Sequence, residues 1–321
     1  MVNPNFKNAS VQSWNLNIQQ QVGRTLGLMV GYFGSKGTHL EIDRNINQLI
    51  AFGQPNTPAS HNVPFFQLAS TSQFLPGVRL GNMTERDSSS NSTYHGLWVT
   101  ATQRMSHGLQ FNASYTYSHS IDEASRNNNG IVVPDSVNIG SGRGSSDFDA
   151  RQRFVVSAIY DLPFKGNRFV TGWKLAPIVT LQSGNPFNVV VSSATITGVG
   201  NTVTPLVSGP ITVTGNPFGQ WVLPTNLSAP TTTLGNLGRN AIVGPDFKNF
   251  DLALAKNTKL TERINLQVRC DAFDLFNHPN FGQPSRIFST APSFATVGST
   301  RFPTGDSGSS RQLQLAAKIQ F

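Results

Sequence analysis

Charge is scarce in this sequence. Only 12% of its 321 residues are Asp, Glu, Lys or Arg, about half the usual share in a soluble globular protein, so much of the customary solubilising surface is missing. Cysteine is scarcer still: Cys270 stands alone, which excludes an internal disulfide and any cysteine-rich zinc site. Long apolar runs are absent. The longest, such as "NVVV" at 188–191, fall far short of the ~20 residues of a membrane helix. The opening "MVNPNFKNAS" has no apolar segment of the kind that marks a signal peptide. The net charge is +8, but the 24 Lys and Arg are spread along the chain with no run that would form a basic arm, so nucleic acid is not an expected partner. Disorder is excluded by an aromatic content of 10% and by strong hydrophobic periodicity.

That periodicity is two. In "LQFNASYTYSH" (109–119), Leu109, Phe111, Ala113, Tyr115 and Tyr117 oppose Gln110, Asn112, Ser114, Thr116 and Ser118. The same alternation occurs at 13–21, 25–33, 96–104, 153–162, 172–181, 249–256 and 263–273, and the chain closes on it in "RQLQLAAKIQF" (311–321). Successive side chains of a strand point to opposite faces, so about nine strands are expected; a tenth is open in "NPFNVVVSS" (185–193) or "GPITVTG" (209–215). Each is roughly 8 to 11 residues, against ~5–6 for a common globular strand and ~9–11 for one crossing a bilayer at a tilt.

The connections alternate between tight and long. Tight ones fall at 21–24, 105–108, 163–167 and 257–262; long ones run from about 35 to 92, 120 to 151, 183 to 247 and 277 to 310. Counting back from Phe321, every tight turn lies on the same side as the C-terminus. Such a meander predicts an all-β, antiparallel, up-and-down transmembrane barrel, here a partial barrel of nine to ten strands with long extracellular loops. A soluble β-sandwich also alternates, but its turn signals come every ~8–12 residues. Here the polar face is Gln, Asn, Ser and Thr, which suits a wet lumen. Aromatics near strand ends (Trp14, Tyr32, Tyr117, Phe154, Trp173, Phe250, Phe321) suit interfacial girdles.

Few residues suggest chemistry. "GSGRGSS" (140–146) lacks the Gly-Lys-Ser/Thr of a phosphate loop, and the six histidines have no metal-ligand spacing. Asp147 and Asp149 share a parity with Arg151 and Arg153. We read these as a rim salt-bridge cluster, with a calcium site as the alternative. No catalytic residue, cofactor or metal is expected. Gln267, Arg269 and Asp271 are the candidate lumen-facing residues, opposite Leu266, Val268 and Cys270. An Arg at the lipid midplane would cost about 2–4 kcal/mol.

Several blocks in order, "SWNLNIQQQVGRTLGLMVGYFGSKGTHL" (13–40), "YHGLWVTATQRMSHGLQFNASYTYSHSID" (94–122), "SDFDARQRFVVSAIYDLPF" (146–164) and "FDLFNHPNFGQP" (273–284), resemble the C-terminal barrel region of TonB-dependent outer-membrane receptors. The closest group is the Oar-like type, whose N-terminus carries a carboxypeptidase-regulatory-like domain. The resemblance implies a barrel of 22 strands with an N-terminal plug and a TonB-engaging segment. It also implies that a last strand ending in Phe is read by the outer-membrane assembly machinery. Leu313, Leu315, Ala317, Ile319 and Phe321 would then be that signal.

Residues 1–321 are accordingly expected to be the C-terminal part of such a barrel, without plug or N-terminal domain, in the outer membrane of a Gram-negative bacterium. The implied partners are the lipid bilayer and lipopolysaccharide, the assembly machinery, TonB through the N-terminal part only, and a siderophore, oligosaccharide or peptide ligand. A self-contained porin or adhesin barrel and a soluble carbohydrate-binding β-domain are the alternatives.

Overall fold

The computed structural model describes residues 1–49, 83–125, 133–191, 203–301 and 310–321. Its main body is one antiparallel sheet in which nine strands follow one another in chain order. They are β1 (Ser10–Val22), β2 (Leu26–Asn45), β3 (Thr84–Ser106), β4 (Leu109–Asp122), β5 (Gln152–Asp161), β6 (Trp173–Gln182), β7 (Phe247–Lys259), β8 (Asn265–Phe273) and β9 (Gln312–Gln320). The two-residue piece Gly144–Ser145 adds to the outer end of β4. Among the described residues β1 and β9 each pair on one side only, so the wall is open. The only helix among the described residues is a 3₁₀ turn at Ile139–Gly142, and no helix there is long and apolar enough to cross a membrane.

All nine predicted strands are present, and their register places the predicted faces together. Directly opposed residues of an antiparallel pair share a face. One such row, Leu109–Tyr160–Leu175–Leu254–Cys270–Leu315, crosses β4 to β9. Another, Ile18–Val30–Val99–Tyr115–Phe154–Leu181, crosses β1 to β6. On the opposite face, Asn17–Gly31–Trp98–Thr116–Arg153–Gln182–Phe247 crosses β1 to β7.

Tight turns gather at one rim. His107 and Gly108 both have positive φ, of 50° and 79°, as a two-residue hairpin turn requires. Pro177 lies inside a central strand, where a missing N–H breaks a ladder; the recorded β5–β6 pairs accordingly jump from Ser157–Ile178 to Tyr160–Leu175.

Three expectations need correction. The first long loop is shorter than 35–92, because β2 runs on to Asn45 and β3 starts at Thr84. This extension is held by charge rather than apolar alternation. Arg44 pairs with Glu85 at 2.7 Å and Asp87 at 3.2 Å, and Arg86 with Glu41 at 2.7 Å and Asp43 at 3.2 Å. The Asp43 hydrogen bond and charge, then the Glu41 charge, hold the Arg86 guanidinium above its ordinary pKa. The turn expected at 163–167 spans 162–172 between β5 and β6. The open tenth strand is not a wall strand among the described residues: Pro186–Phe187 pairs with Ile242–Val243, and Val213 with Val222, inside the long loop.

The hydrophobic core lies outside the wall. Phe187, Val189, Val222, Leu227, Leu237, Ile242, Phe294 and Ala295 form the buried cluster, and all belong to the loops between β6 and β7 and between β8 and β9. The wall's own apolar side chains stay exposed, among them Leu16, Ile18, Val30, Leu97, Val99, Leu254, Val268, Leu313, Leu315 and Ile319.

Candidate functional site

Two surfaces can meet a ligand: the polar face of the wall and the loop cap above its outer rim. On the polar face, Gln267 donates to Asn257 Oδ1 at 2.9 Å, and Arg269 Nε donates to Asp271 Oδ1 at 2.7 Å. Arg269 and Asp271 border a trough of about 540 Å³ that reaches across β3 to Thr102 and across β5 and β6 to Ser157 and Ile178. Residues from six strands can line one trough only if their side chains rise from one face of one curved wall. Arg269 and Asp271 form an i, i+2 ion pair along β8, partly open to water, and such pairs contribute little to stability.

The polar face is less polar than the sequence suggests. Ile178 is 45% exposed there, Ile159 is 40% exposed and Phe273 is 37% exposed. Trp98 lies on this face over Gly31 and beside Asn17: a Cβ on Gly31 would fall onto the indole ring and the Asn17 side-chain oxygen. Gly34, on the other face, gives Trp14 the same clearance. There Trp14 lies 6.1 Å from His95, and Tyr32 stacks on His95 at 6.2 Å with its hydroxyl 2.7 Å from Nδ1. At the turn rim the Lys256 ammonium lies over the Trp173 ring at 5.5 Å. These groups fit interfacial aromatic belts.

The block "FDLFNHPNFGQP" acts as a clamp at the outer rim. Asn280 accepts from Lys248 N at 2.8 Å and donates to Lys248 O at 3.0 Å, which fixes it to β7. Asn277 Oδ1 accepts from Arg311 N at 2.9 Å, just before β9. Phe276 packs on Phe250 with 5.0 Å between rings.

The cap is joined to the wall by a residue that the sequence did not mark. Arg239, in the loop between β6 and β7, is 7% exposed. Its Nε donates to Gly142 O at 2.6 Å, Nη2 to Asp122 O at 2.7 Å and to the Asp122 carboxylate, and Nη1 to Ser125 Oγ at 3.3 Å. Asp122 also accepts from Ser146 Oγ at 2.7 Å; Ser146 Oγ lies 2.8 Å from Ser120 Oγ, and Ser120 N donates to Asp149 at 2.9 Å. The expected rim cluster is therefore real but differently composed. Asp149 pairs with His119 at 3.0 Å and Arg151 at 3.6 Å, and Asp147 with Arg239 at 3.5 Å. Arg153 makes no ion pair among the described residues. No group of three or more His, Cys, Asp or Glu there is placed to hold a metal ion.

Leu313, Leu315, Ala317 and Ile319 oppose Ala272, Cys270, Val268 and Leu266 on the apolar face, while Phe321 follows the last residue of β9 and is fully exposed. Gln267, Arg269 and Asp271 oppose Lys318, Ala316 and Gln314 on the other face.

The profile of the family described as outer membrane beta barrel domain matches residues 1–314. Among solved structures, the outer membrane transporter YddB from Escherichia coli is similar with a TM-score of 0.49 at 9% identity, over 98% of this chain and 33% of that one. The pyoverdine outer membrane receptor FpvA from Pseudomonas aeruginosa PAO1, bound to pyoverdine, is similar with a TM-score of 0.42 at 10% identity, over 98% of this chain and 30% of that one. The chain thus spans about a third of the length of each. No curated protein sequence matches it.

Proposed function

The chain belongs to the outer membrane beta barrel domain family, and we propose that within it residues 1–321 are the C-terminal wall and extracellular loops of an Oar-like, TonB-dependent receptor for energised ligand uptake. One observation carries the reading. Among the described residues a row of large apolar side chains on one face of the nine-strand wall stays exposed, while the buried core sits in the loops. Exposed apolar patches of this extent mark a surface that meets lipid or a partner, and an outer-membrane wall supplies the lipid.

In this reading the apolar face meets the bilayer, and Gln267, Arg269 and Asp271 face the lumen. The β9 residues from Leu313 to Phe321 are then the strand handled by the assembly machinery. TonB would engage an N-terminal part of the protein, and lipopolysaccharide would surround the outer rim. A siderophore, an oligosaccharide or a peptide would be the cargo, and no side chain is assigned a catalytic role.

The test is uptake by cells carrying the intact protein, offered a ferric siderophore, a maltooligosaccharide and an oligopeptide, with and without TonB. Accumulation of one of them that needs both the protein and TonB supports the receptor. Passage at an equal rate without TonB identifies a porin instead. A chain that stays monodisperse in water without detergent identifies a soluble β-domain.

A further inference from the structure

We propose that Arg153 and Arg301 form an anion-binding site on the polar face of the wall at its outer mouth, which takes a carboxylate or phosphate group of a small solute. The proposal rests on the receptor reading above and names the chemistry of its ligand.

The register sets the geometry. Arg153 on β5 and Phe247 on β7 both oppose Gln182 of β6, one from each side. They therefore stand two strand spacings apart on the same face, about 10 Å. The Arg301 guanidinium lies over the buried Phe247 ring at 5.5 Å. Its backbone N–H donates to Asn280 O at 2.7 Å, and Asn280 is itself buried and locked to β7 through both atoms of its amide. Arg301 is thus held on a rigid seat, with its charged end toward the row that contains Arg153.

What the pair lacks is equally informative. Arg44, Arg86, Arg143, Arg151 and Arg239, also at the outer rim, each have a carboxylate within 4 Å. Among the described residues Arg153 and Arg301 have none. Burial first, and then the like charge of Arg153, pull the Arg301 guanidinium below its ordinary pKa. A guanidinium does not surrender its proton at any physiological pH, so a half-buried one facing a second calls for an anion. Two guanidinium forks across a gap of this size match the oxygens of a carboxylate or phosphate, and Gln182, which stands between Arg153 and Phe247 in the register, offers its amide as a further donor. The site lies on the face opposite the exposed apolar rows, so the anion is a solute of the mouth rather than a lipid headgroup.

The experiment measures binding of citrate and of inorganic phosphate to the intact outer-membrane protein in detergent by calorimetry, with maltotriose as a neutral control. We expect saturable binding of citrate or phosphate that weakens as sodium chloride is raised. Arg153→Gln and Arg301→Gln should each weaken it at least tenfold, while Lys248→Gln, on the opposite face, leaves it unchanged. Arg153→Lys and Arg301→Lys keep the charge but not the fork, and should bind more tightly than the matching Gln variants and more weakly than the native protein, which separates loss of the site from loss of folding. Absence of saturable binding by either anion, or binding that neither Gln variant weakens, overturns the proposal. So does displacement of citrate by lipopolysaccharide at a headgroup concentration equal to that of free citrate, since the site would then belong to lipid. TonB-dependent uptake of a neutral ligand without citrate or phosphate binding would sink this site and leave the receptor reading standing.

Discussion

Arg239 couples two loops through a single side chain, and its removal should be felt far from its own backbone. Replacing it with Met would leave the Asp122 carboxylate, 4% exposed, with only hydroxyl donors at Ser146 and Ser125. Breaking one partner of a buried ion pair costs about 3–5 kcal/mol. We expect Arg239→Met to open the cap locally: faster amide exchange and protease cleavage in 203–246 and 133–151, with strand protection in β4 to β7 unchanged. Uniform loss of protection across the wall would contradict this. Gly31 makes a second test. The Trp98 ring and the Asn17 side chain occupy the space a Cβ would need, and overpacking a closed site costs about 1–3 kcal/mol. Gly31→Val should lower the thermal midpoint and shift Trp98 emission, whereas Gly23→Ala should perturb only the turn, where φ is 63° with no atom within 4 Å of the added carbon.

At the scale of elements, the wall and the cap obey different rules. The cap has a true core in which Phe294, 1% exposed, meets Phe288 edge-on at 5.4 Å. Phe294→Ala should cost about 3–5 kcal/mol, read as a lowered melting transition of the loops in exchange measurements. The wall should keep its heat-modifiable mobility on gels. This division explains what was legible in the sequence. All nine strands were, because each carries apolar side chains along one face and the period shows in every segment. The outer ends of β2 and β3 were not, since above the membrane zone Arg44, Glu85 and Arg86 replace apolar alternation with ion pairs. The cap core was hidden for another reason: Phe187, Val222 and Phe294 meet only after distant loop segments fold together, and no local period announces that. Ile159, Ile178 and Phe273 fall on the polar face by parity alone, but alternation gives no reason for apolar side chains at those positions. Arg239 and Arg301 stand in loops of irregular backbone, where spacing carries no information about partners.

At the scale of the whole molecule, the described residues form a wall with two free edges that run the same way. Nine antiparallel strands place β1 and β9 parallel to each other, so closure without a parallel seam needs an odd number of further strands. Two copies of this chain inserted in the same orientation cannot provide that. Unpaired backbone groups are not tolerated in lipid, so the chain expressed by itself should aggregate. A monodisperse, heat-modifiable monomer in detergent would instead support a closed small barrel. The claim on which all else depends is that the face carrying Leu254, Cys270 and Leu315 meets lipid and the face carrying Gln267 does not. The native thiol tests it most directly, in the intact protein embedded in outer membrane. Cys270 should resist a membrane-impermeant maleimide and react with a lipid-soluble one, while Gln267→Cys in a Cys270→Ser background should label with the impermeant reagent. Ready labelling of Cys270 by the impermeant reagent, with Gln267→Cys protected, would invert the facing and contradict the account.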